Sequence, residues 1–171
     1  LIAIPTTAGT GSECQSYALI TDEQTHAKMA CGDPKAAARV AILDPELTVA
    51  VPPAVTAGTG LDALVHAIEA ATNKQANPGN DLYCLKAISL IAANLERVVT
   101  QPDDIAARGA MLLASCYGGI GIDNCGTALA HNISHAVANL AAIPHGRATG
   151  LAMLATIDWV AEGNRPAFGR V

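Results

Sequence analysis

The 171-residue sequence has few aromatic and few charged residues: Phe, Trp and Tyr make up 3% of it, and Asp, Glu, Lys and Arg 15%. Ten Lys and Arg are outnumbered by fifteen Asp and Glu, which gives a formal net charge of -5. Because no clustered cations are available to neutralise phosphates, we expect no nucleic-acid partner. Hydrophobic residues make up 51%, too many for a disordered chain, so a large buried core is predicted.

Membrane, export and disulfide signals are also missing. Pro, Gly or a charge interrupts every apolar run before it reaches the length of a membrane span, and no cationic stretch precedes the apolar residues at the start. The five cysteines are odd in number and form no Cys-X-X-Cys pair, so neither a disulfide framework nor a thiolate zinc site is indicated. We therefore expect a soluble protein in a reduced, cytoplasmic setting, with no membrane partner.

Common nucleotide and hydrolase motifs are absent too. The chain has no Gly-X-Gly-X-X-Gly, no Walker lysine and no Gly-X-Ser-X-Gly. A glycine-rich segment, residues 6–13, does follow a predicted strand, and its hydroxyls and backbone N–H groups could hold phosphate or ribose. By its pattern alone, a plain turn is the favoured interpretation.

The chain changes character near residue 52. Before it, short runs bounded by turn residues predict strands over 1–5, 17–21, 27–31 and 39–43. After Pro52-Pro53, apolar residues recur every three or four positions and predict helices over 61–72, 80–100, 102–119, 127–140 and 146–160. In the third, Pro102-Asp103-Asp104 is the predicted start and Gly118-Gly119 the predicted end. The sequence Thr-Ala-Gly-Thr-Gly occurs at 7–11, after a strand, and at 56–60, before a helix, and is interpreted as coincidence.

Four of the five histidines lie in the helical region. Asp62 and His66 are four residues apart in an apolar helix, where their burial is costly unless they pair or bind a cation. His131 and His135 repeat this spacing, and His145 follows at a helix start. Oxygen and nitrogen ligands without thiolate suit Fe(II), Zn(II), Mn(II) or Co(II).

Each of these features has a plainer interpretation. A single Asp/His pair on a helix is more often only solvated or hydrogen-bonded, whereas two pairs together with His145 favour a metal site. His26, in a polar turn, is predicted to be exposed. Cys116 and Cys125 are predicted to be core thiols.

Four motifs in this order resemble the iron-containing (group III) alcohol dehydrogenases: IPTTAGTGSE at 4–13, LDPEL at 43–47, GLDALVHAIE at 60–69, and His131 with Pro144-His145-Gly146. The resemblance covers essentially the whole chain but only the middle of the family's usual length. It implies an α+β fragment, mainly α, of the dehydroquinate synthase-like fold. Residues 1–51 would be the last strands of an α/β dinucleotide-binding domain, and 52–171 most of an all-helical metal-binding domain.

The resemblance also assigns site residues. It implies metal ligands at Asp62, His66, His131 and His145, and places His135 near the nicotinamide and the substrate. For the cofactor it implies contacts by Thr6, Thr7, Thr10, Tyr17 and Lys28. Cys14-Gln15 departs from the small apolar residue and Thr often found there.

The activity implied by the resemblance is reversible hydride transfer between a primary or secondary alcohol and NAD or NADP. Fe(II), or Zn(II) or another divalent metal, would polarise the alcohol oxygen, and His135 would relay the alcohol proton to solvent. The expected partners are a small alcohol or aldehyde and further copies of the chain in a homo-oligomer. The 171 residues alone are expected to be inactive, because much of the dinucleotide domain is missing.

Two other hypotheses remain. One is a zinc enzyme of the same fold, similar to glycerol dehydrogenase or dehydroquinate synthase, although the motifs at 6–13 and 62–69 differ from those relatives. The other is a noncatalytic helical module in which the Asp/His pairs are internal and bind no metal.

Overall fold

The computed structural model describes residues 1–24, 28–138 and 140–171. Four short strands come first: β1 (Ile2–Ala3), β2 (Tyr17–Thr21), β3 (Lys28–Gly32) and β4 (Val40–Ala41). Six α-helices follow: α1 (Pro53–Thr72), α2 (Pro78–Thr100), α3 (Ile105–Cys125), α4 (Leu129–Ala138), α5 (His145–Gly163) and α6 (Arg165–Phe168). The predicted order of strands and then helices is observed, and α6 is an addition to it.

The strands form two separate pairs. β1 and β4 are parallel, with Ile2 opposite Val40, and β2 and β3 are antiparallel, with Tyr17 opposite Gly32. The predicted runs 1–5 and 39–43 shorten to two residues each, because only these residues pair in the ladder. His26, predicted to be exposed, lies outside the described residues.

The core lies among α1, α2 and α3. It consists largely of alanines from the three helices, together with larger side chains such as Ile91 and Met111. Since alanine has a short side chain, the helix backbones approach one another closely. α1 is buried on most of its sides, as its apolar sequence predicts.

α1 begins eight residues earlier than predicted, at Pro53, where proline's fixed φ suits the first helical position. The second Thr-Ala-Gly-Thr-Gly therefore lies inside the helix, not before it. The two copies also contact each other: a Cβ on Gly9 would lie 2.3 Å from the Cβ of Thr59. The glycine-rich segment thus needs a glycine at this position to lie against α1.

α3 begins at Ile105, three residues after the predicted start at Pro102, and it also ends later than predicted. The Asp104 carboxylate caps it by accepting a hydrogen bond from the Ala107 N–H at 3.0 Å. The predicted end at Gly118-Gly119 is wrong, because the helix continues to Cys125 and Gly126, with φ of 72°, follows it. Gly118 and Gly119 serve close packing: a Cβ on Gly119 would lie 2.4 Å from the Gly11 carbonyl oxygen.

By length and composition, α3 is also apolar enough to cross a membrane, so the prediction that no stretch would reach this length is wrong. The glycines of this run lie within the helix and do not interrupt it. Of the apolar window in this helix, 56% is buried inside the structure. Core helices of soluble proteins pass the same test, so this property is weak evidence for a membrane span.

Gly119→Ala is expected to destabilise the chain by about 1–3 kcal/mol, because the added methyl group collides with backbone that cannot rotate away. Thermal unfolding followed by circular dichroism would show a fall of several degrees in Tm. Gly163→Ala is the matched control: it also adds a methyl group to a helix, but no atom lies within 4 Å of its Cβ position. An equal Tm for the two variants would contradict the close approach of Gly11 to α3.

Glu13 introduces a pH dependence. Its carboxylate is buried, and burial raises its pKa above the ordinary value of 4.5. Because the folded state favours the protonated acid, this contribution to stability is present below 4.5 and is lost as the pH rises through the raised pKa. We expect Glu13→Gln to match the native Tm near pH 4 and to exceed it increasingly towards pH 8. The exposed Glu23→Gln should show no such trend, and a flat difference for Glu13→Gln would contradict the prediction.

Candidate metal centre

Three polar residues project from one face of the buried helix α1. Asp62, His66 and Glu69 are spaced by four and three residues, so they follow one another along this face. All three are buried, with 3–5% of their surface exposed. Polar groups this deep in an alanine-rich core need partners, and these come from α4 and α5.

Asp62 lies at the centre of a histidine cluster. Its Oδ1 is 3.5 Å from Nε2 of His131 and 3.5 Å from Nε2 of His145, and 4.0 Å from Nε2 of His66. Asp62, His131 and His145 each offer a ligand atom within 4.8 Å of the others. The His66 ring stacks on His131, with 4.5 Å between ring centroids. The structure therefore brings all four sequence-predicted ligands together, three of them in the tightest group.

His135 lies on the edge of this cluster. Its ring centroid is 5.3 Å from that of His145 and 6.3 Å from that of His131. The ring also lines the adjoining cavity. This position differs from that of the predicted metal ligands and suits a group that contacts substrate.

Glu69 is a site residue that the sequence reasoning did not single out. One carboxylate oxygen is 2.7 Å from Nδ1 of His131, and the carboxylate also accepts from the backbone N–H groups of Ala128 and Ala130 at 2.8 and 2.6 Å. This arrangement makes Nδ1 the donor and turns Nε2 of His131 towards Asp62. The available signal was a second acidic residue on the polar face of α1, seven positions after Asp62.

The two buried histidines titrate in opposite directions. Burial lowers the pKa of His66 to about 4, so its ring is neutral near pH 7 and able to ligate. Burial also opposes charge on His131, but its contacts with the carboxylates of Asp62 and Glu69 outweigh burial and raise its pKa to about 9. For Asp62, burial raises the pKa, but the contacts with His131 and the other histidines have the larger effect and hold this pKa below its ordinary value.

The chemistry of this group fits a divalent cation. Among the described residues, Oδ1 of Asp62 and Nε2 of His131 are buried and make no hydrogen bond. Burying a carboxylate oxygen and an imidazole nitrogen without hydrogen bonds costs free energy, and a cation bound by both atoms would offset this cost. Since no thiolate is present in the group, a borderline metal such as Fe(II) or Zn(II) suits it better than a soft one.

A cavity of about 590 Å³ opens onto the cluster, a size typical of small-molecule sites. Asp62, His66, His131, His135 and His145 line one side of it. Its other walls come from the N-terminal region and from the end of α3.

Two of the predicted cofactor residues, Thr10 and Tyr17, are in the wall of this cavity. Thr6 is exposed and Thr7 half-buried, and neither is among the described residues that line it. The side chain of Lys28 lies outside the described part of the chain, so its predicted contact stays a prediction. Just after the glycine-rich segment, the Gln15 side-chain amide donates back to the Thr10 carbonyl oxygen at 2.9 Å.

Comparisons with known sequences agree on a family. The family described as "Fe-containing alcohol dehydrogenase family, C-terminal" matches residues 56–171, and "Iron-containing alcohol dehydrogenase" matches residues 1–45. The chain belongs to the iron-containing alcohol dehydrogenase family.

Individual relatives are similar in sequence. The chain is 45% identical over 146 residues to the NAD-dependent methanol dehydrogenase of Bacillus methanolicus, and this match covers 85% of this chain and 38% of that protein. It is 40% identical over 171 residues to the probable alcohol dehydrogenase EutG of Escherichia coli strain K12, covering 100% of this chain and 43% of that protein. The chain thus spans about two fifths of the length of these relatives.

Solved structures confirm the predicted fold class. A putative alcohol dehydrogenase from Ralstonia eutropha JMP134 superposes with a TM-score of 0.91 at 30% identity, covering 99% of this chain and 47% of that one. The sulfoacetaldehyde reductase of Bifidobacterium kashiwanohense in complex with NAD+ superposes with a TM-score of 0.86 at 38% identity, and the match covers 94% of this chain and 42% of that one. The fold is a mainly helical part of the group III alcohol dehydrogenase fold.

Proposed function

We propose that this chain forms the metal-binding part of an alcohol dehydrogenase that transfers hydride between a small alcohol and NAD or NADP, with Fe(II) as the metal. The observation that carries this is the group formed by Asp62, His131 and His145, open to a cavity that Thr10 and Tyr17 also line. Relatives named as an NAD-dependent methanol dehydrogenase and as a reductase in complex with NAD+ support the nicotinamide cofactor.

The residues that would hold the cation are Asp62, His66, His131 and His145. When bound there, a divalent cation supplies Lewis acidity towards the alcohol oxygen. The Asp62 carboxylate partly neutralises the cation, and the neutral His66 ring adds no charge. Glu69 orients His131, as a carboxylate does for many metal-bound histidines.

The sides of the cavity suit the two reactants. His145, whose side chain is 30% exposed, borders the open space where an alcohol would reach the cluster. Thr10, in the glycine-rich segment, offers a hydroxyl and backbone groups from the part of the wall that the N-terminal region forms. We propose that this wall contacts the nicotinamide end of the cofactor, with Thr6, Thr7 and Lys28 as further contacts. A homo-oligomer and a cytoplasmic location remain predictions.

Metal content is the direct test. Anaerobically purified intact protein is expected to contain one Fe(II) per chain by elemental analysis, and to reduce NAD or NADP when a short primary alcohol is added. Removal of the metal by a chelator should abolish turnover, and Fe(II) should restore it. Stoichiometric zinc without iron would favour the zinc-enzyme alternative, whereas binding of no divalent metal would support the noncatalytic helical module.

For His135 we expect a role in moving the alcohol proton towards solvent. His135→Ala in the intact protein is expected to lower kcat by about 100-fold, the usual range for loss of a general acid–base group, while the metal content stays unchanged. Steady-state kinetics across pH would measure this. Asn132→Ala, an exposed change on the same helix, is the control. Unaltered turnover and an unaltered pH profile in His135→Ala would refute the relay.

A further inference from the structure

Residues 11–16 lie along one side of α3 and contact it at three levels. Gly11 packs on Gly119 with backbone against backbone. The Ser16 backbone N–H and hydroxyl both donate to Oδ1 of Asp123 at 2.8 Å. Nearer the start of α3, the 3₁₀ helix Ser12–Cys14 places the Cys14 thiol against Cys116.

The two sulfur atoms are 3.0 Å apart. A disulfide bond is about 2.05 Å long, so a movement of about 1 Å would join them. Two thiolates on a tetrahedral zinc, with Zn–S of about 2.3 Å, would lie about 3.8 Å from each other. Although the Glu13 carboxylate could add a third ligand atom within 4.8 Å, the sulfur separation matches a disulfide better than a metal site.

The remaining cysteines have other surroundings. Cys31 is exposed, and Cys84 and Cys125 are buried, where Cys84 accepts from the Asn80 amide and Cys125 donates to the Gln75 carbonyl oxygen. Among the described residues, Cys14 and Cys116 form the thiol pair that the structure places in hydrogen-bond contact. Cys14 is half-buried, so a small oxidant can approach the pair from its side.

We propose that Cys14 and Cys116 form a reversible disulfide that fastens the 3₁₀ helix Ser12–Cys14, and with it the end of the glycine-rich segment, to α3. The inference does not depend on the proposed function. With glutathione disulfide as oxidant, the Cys14 thiolate attacks one sulfur and expels one glutathione. Cys116 then attacks the Cys14 sulfur of the mixed disulfide and expels the second. The two protein thiols lose two electrons and two protons, which the two released glutathione molecules carry.

The two thiols differ in acidity and in accessibility. In the reduced pair, the hydrogen bond from the Cys14 thiol lowers the pKa of Cys116 and raises the pKa of Cys14. Cys14 no longer donates this bond once it is in the mixed disulfide, so Cys116 serves as the resolving thiol because of its position: it is the more buried of the two and lies against the Cys14 sulfur. Its partner is the more accessible thiol, at which the mixed disulfide forms.

The experiment oxidises the intact protein with glutathione disulfide and digests it under non-reducing conditions. We expect a cross-linked peptide pair, two hydrogens lighter than the separate peptides, that dithiothreitol separates. Cys116 and Cys125 share a tryptic peptide, so fragmentation by tandem mass spectrometry assigns the bond. Because the closed loop is long, oxidation should also raise Tm by roughly 10 °C.

Variants supply the controls. Cys14→Ser and Cys116→Ser should each lose the cross-link and the rise in Tm, whereas Cys31→Ser should keep both. If a variant fails to fold, the peptide analysis of the native protein still decides. Free thiols at Cys14 and Cys116 after oxidation, or glutathione adducts without the cross-link, would overturn the proposal. So would one equivalent of Zn²⁺ bound by the reduced pair together with no cross-link on oxidation.

Discussion

Asp62→Asn is expected to weaken Fe(II) binding by at least about 100-fold. Asp62 supplies the carboxylate at the centre of the histidine cluster, within 4.0 Å of three imidazole nitrogens. At an effective dielectric constant near 20, two unit charges 4 Å apart interact by about 4 kcal/mol, and each 1.4 kcal/mol changes an affinity tenfold. Asparagine keeps the shape but removes this charge. Anaerobic titration of metal-free protein with Fe(II), followed by calorimetry, would measure the affinity.

The control for this variant is Asp158→Asn, the same chemical change at an exposed position of α5. Its metal affinity should equal that of the native protein. Circular dichroism of both variants would establish that they are folded. Native-like affinity in a folded Asp62→Asn would remove the carboxylate from the ligand set and with it the basis of the proposed site.

Glu69→Gln is expected to have two effects, although Glu69 does not face the centre of the cluster. Its carboxylate accepts from Nδ1 of His131 and from the backbone at the start of α4. In glutamine an NH₂ group replaces one of the two carboxylate oxygens, so at least one of these N–H groups would face a donor instead of an acceptor. Loss of such orienting contacts costs about 10–100-fold in metal affinity. Hydrogen bonds to charged groups contribute about 1.5–3 kcal/mol each, so Tm should fall by roughly 10 °C.

Two measurements separate positioning from a purely structural role. Recorded on metal-free protein above pH 9, where the His131 ring is neutral, its ¹⁵N chemical shifts report which ring nitrogen carries the proton, and only loss of positioning changes them. Glu96→Gln, at an exposed site on α2, should leave the shifts, Tm and metal affinity unchanged. If Glu69→Gln lowered Tm but kept the His131 tautomer and the metal affinity, Glu69 would only anchor α4.

Local spacing predicted part of the site. Asp62 and His66 are one turn apart, so any helix through them places both on one face. That argument could not reach the contact between α1 and α4, because Glu69 and His131 are 62 residues apart. The match of His131 and His145 to the ligand pattern came from the family resemblance, and the structure places both beside Asp62. The predicted cofactor contacts of Thr6, Thr7, Thr10, Tyr17 and Lys28 stay predictions.

Two errors in the fold prediction share one cause. Because glycine interrupts isolated helices, Gly118-Gly119 predicts a helix end, yet here Gly119 lets Gly11 approach α3. The sequence pattern gives no reason for the repeated Thr-Ala-Gly-Thr-Gly, whereas in the structure Gly9 of one copy packs on Thr59 of the other. In both cases the requirement for glycine comes from a distant segment.

The amino-acid order alone determined that strands precede helices and which side chains share a helix face, because these properties depend on neighbours within one or two turns. Capping by Asp104 and the apolar character of α1 are of this kind. Only the packing of the helices decided that Glu69 would orient His131 and that Cys14 would lie against Cys116, 102 residues away. Such contacts depend on how closely alanine and glycine let backbones approach, which is a property of the assembled core.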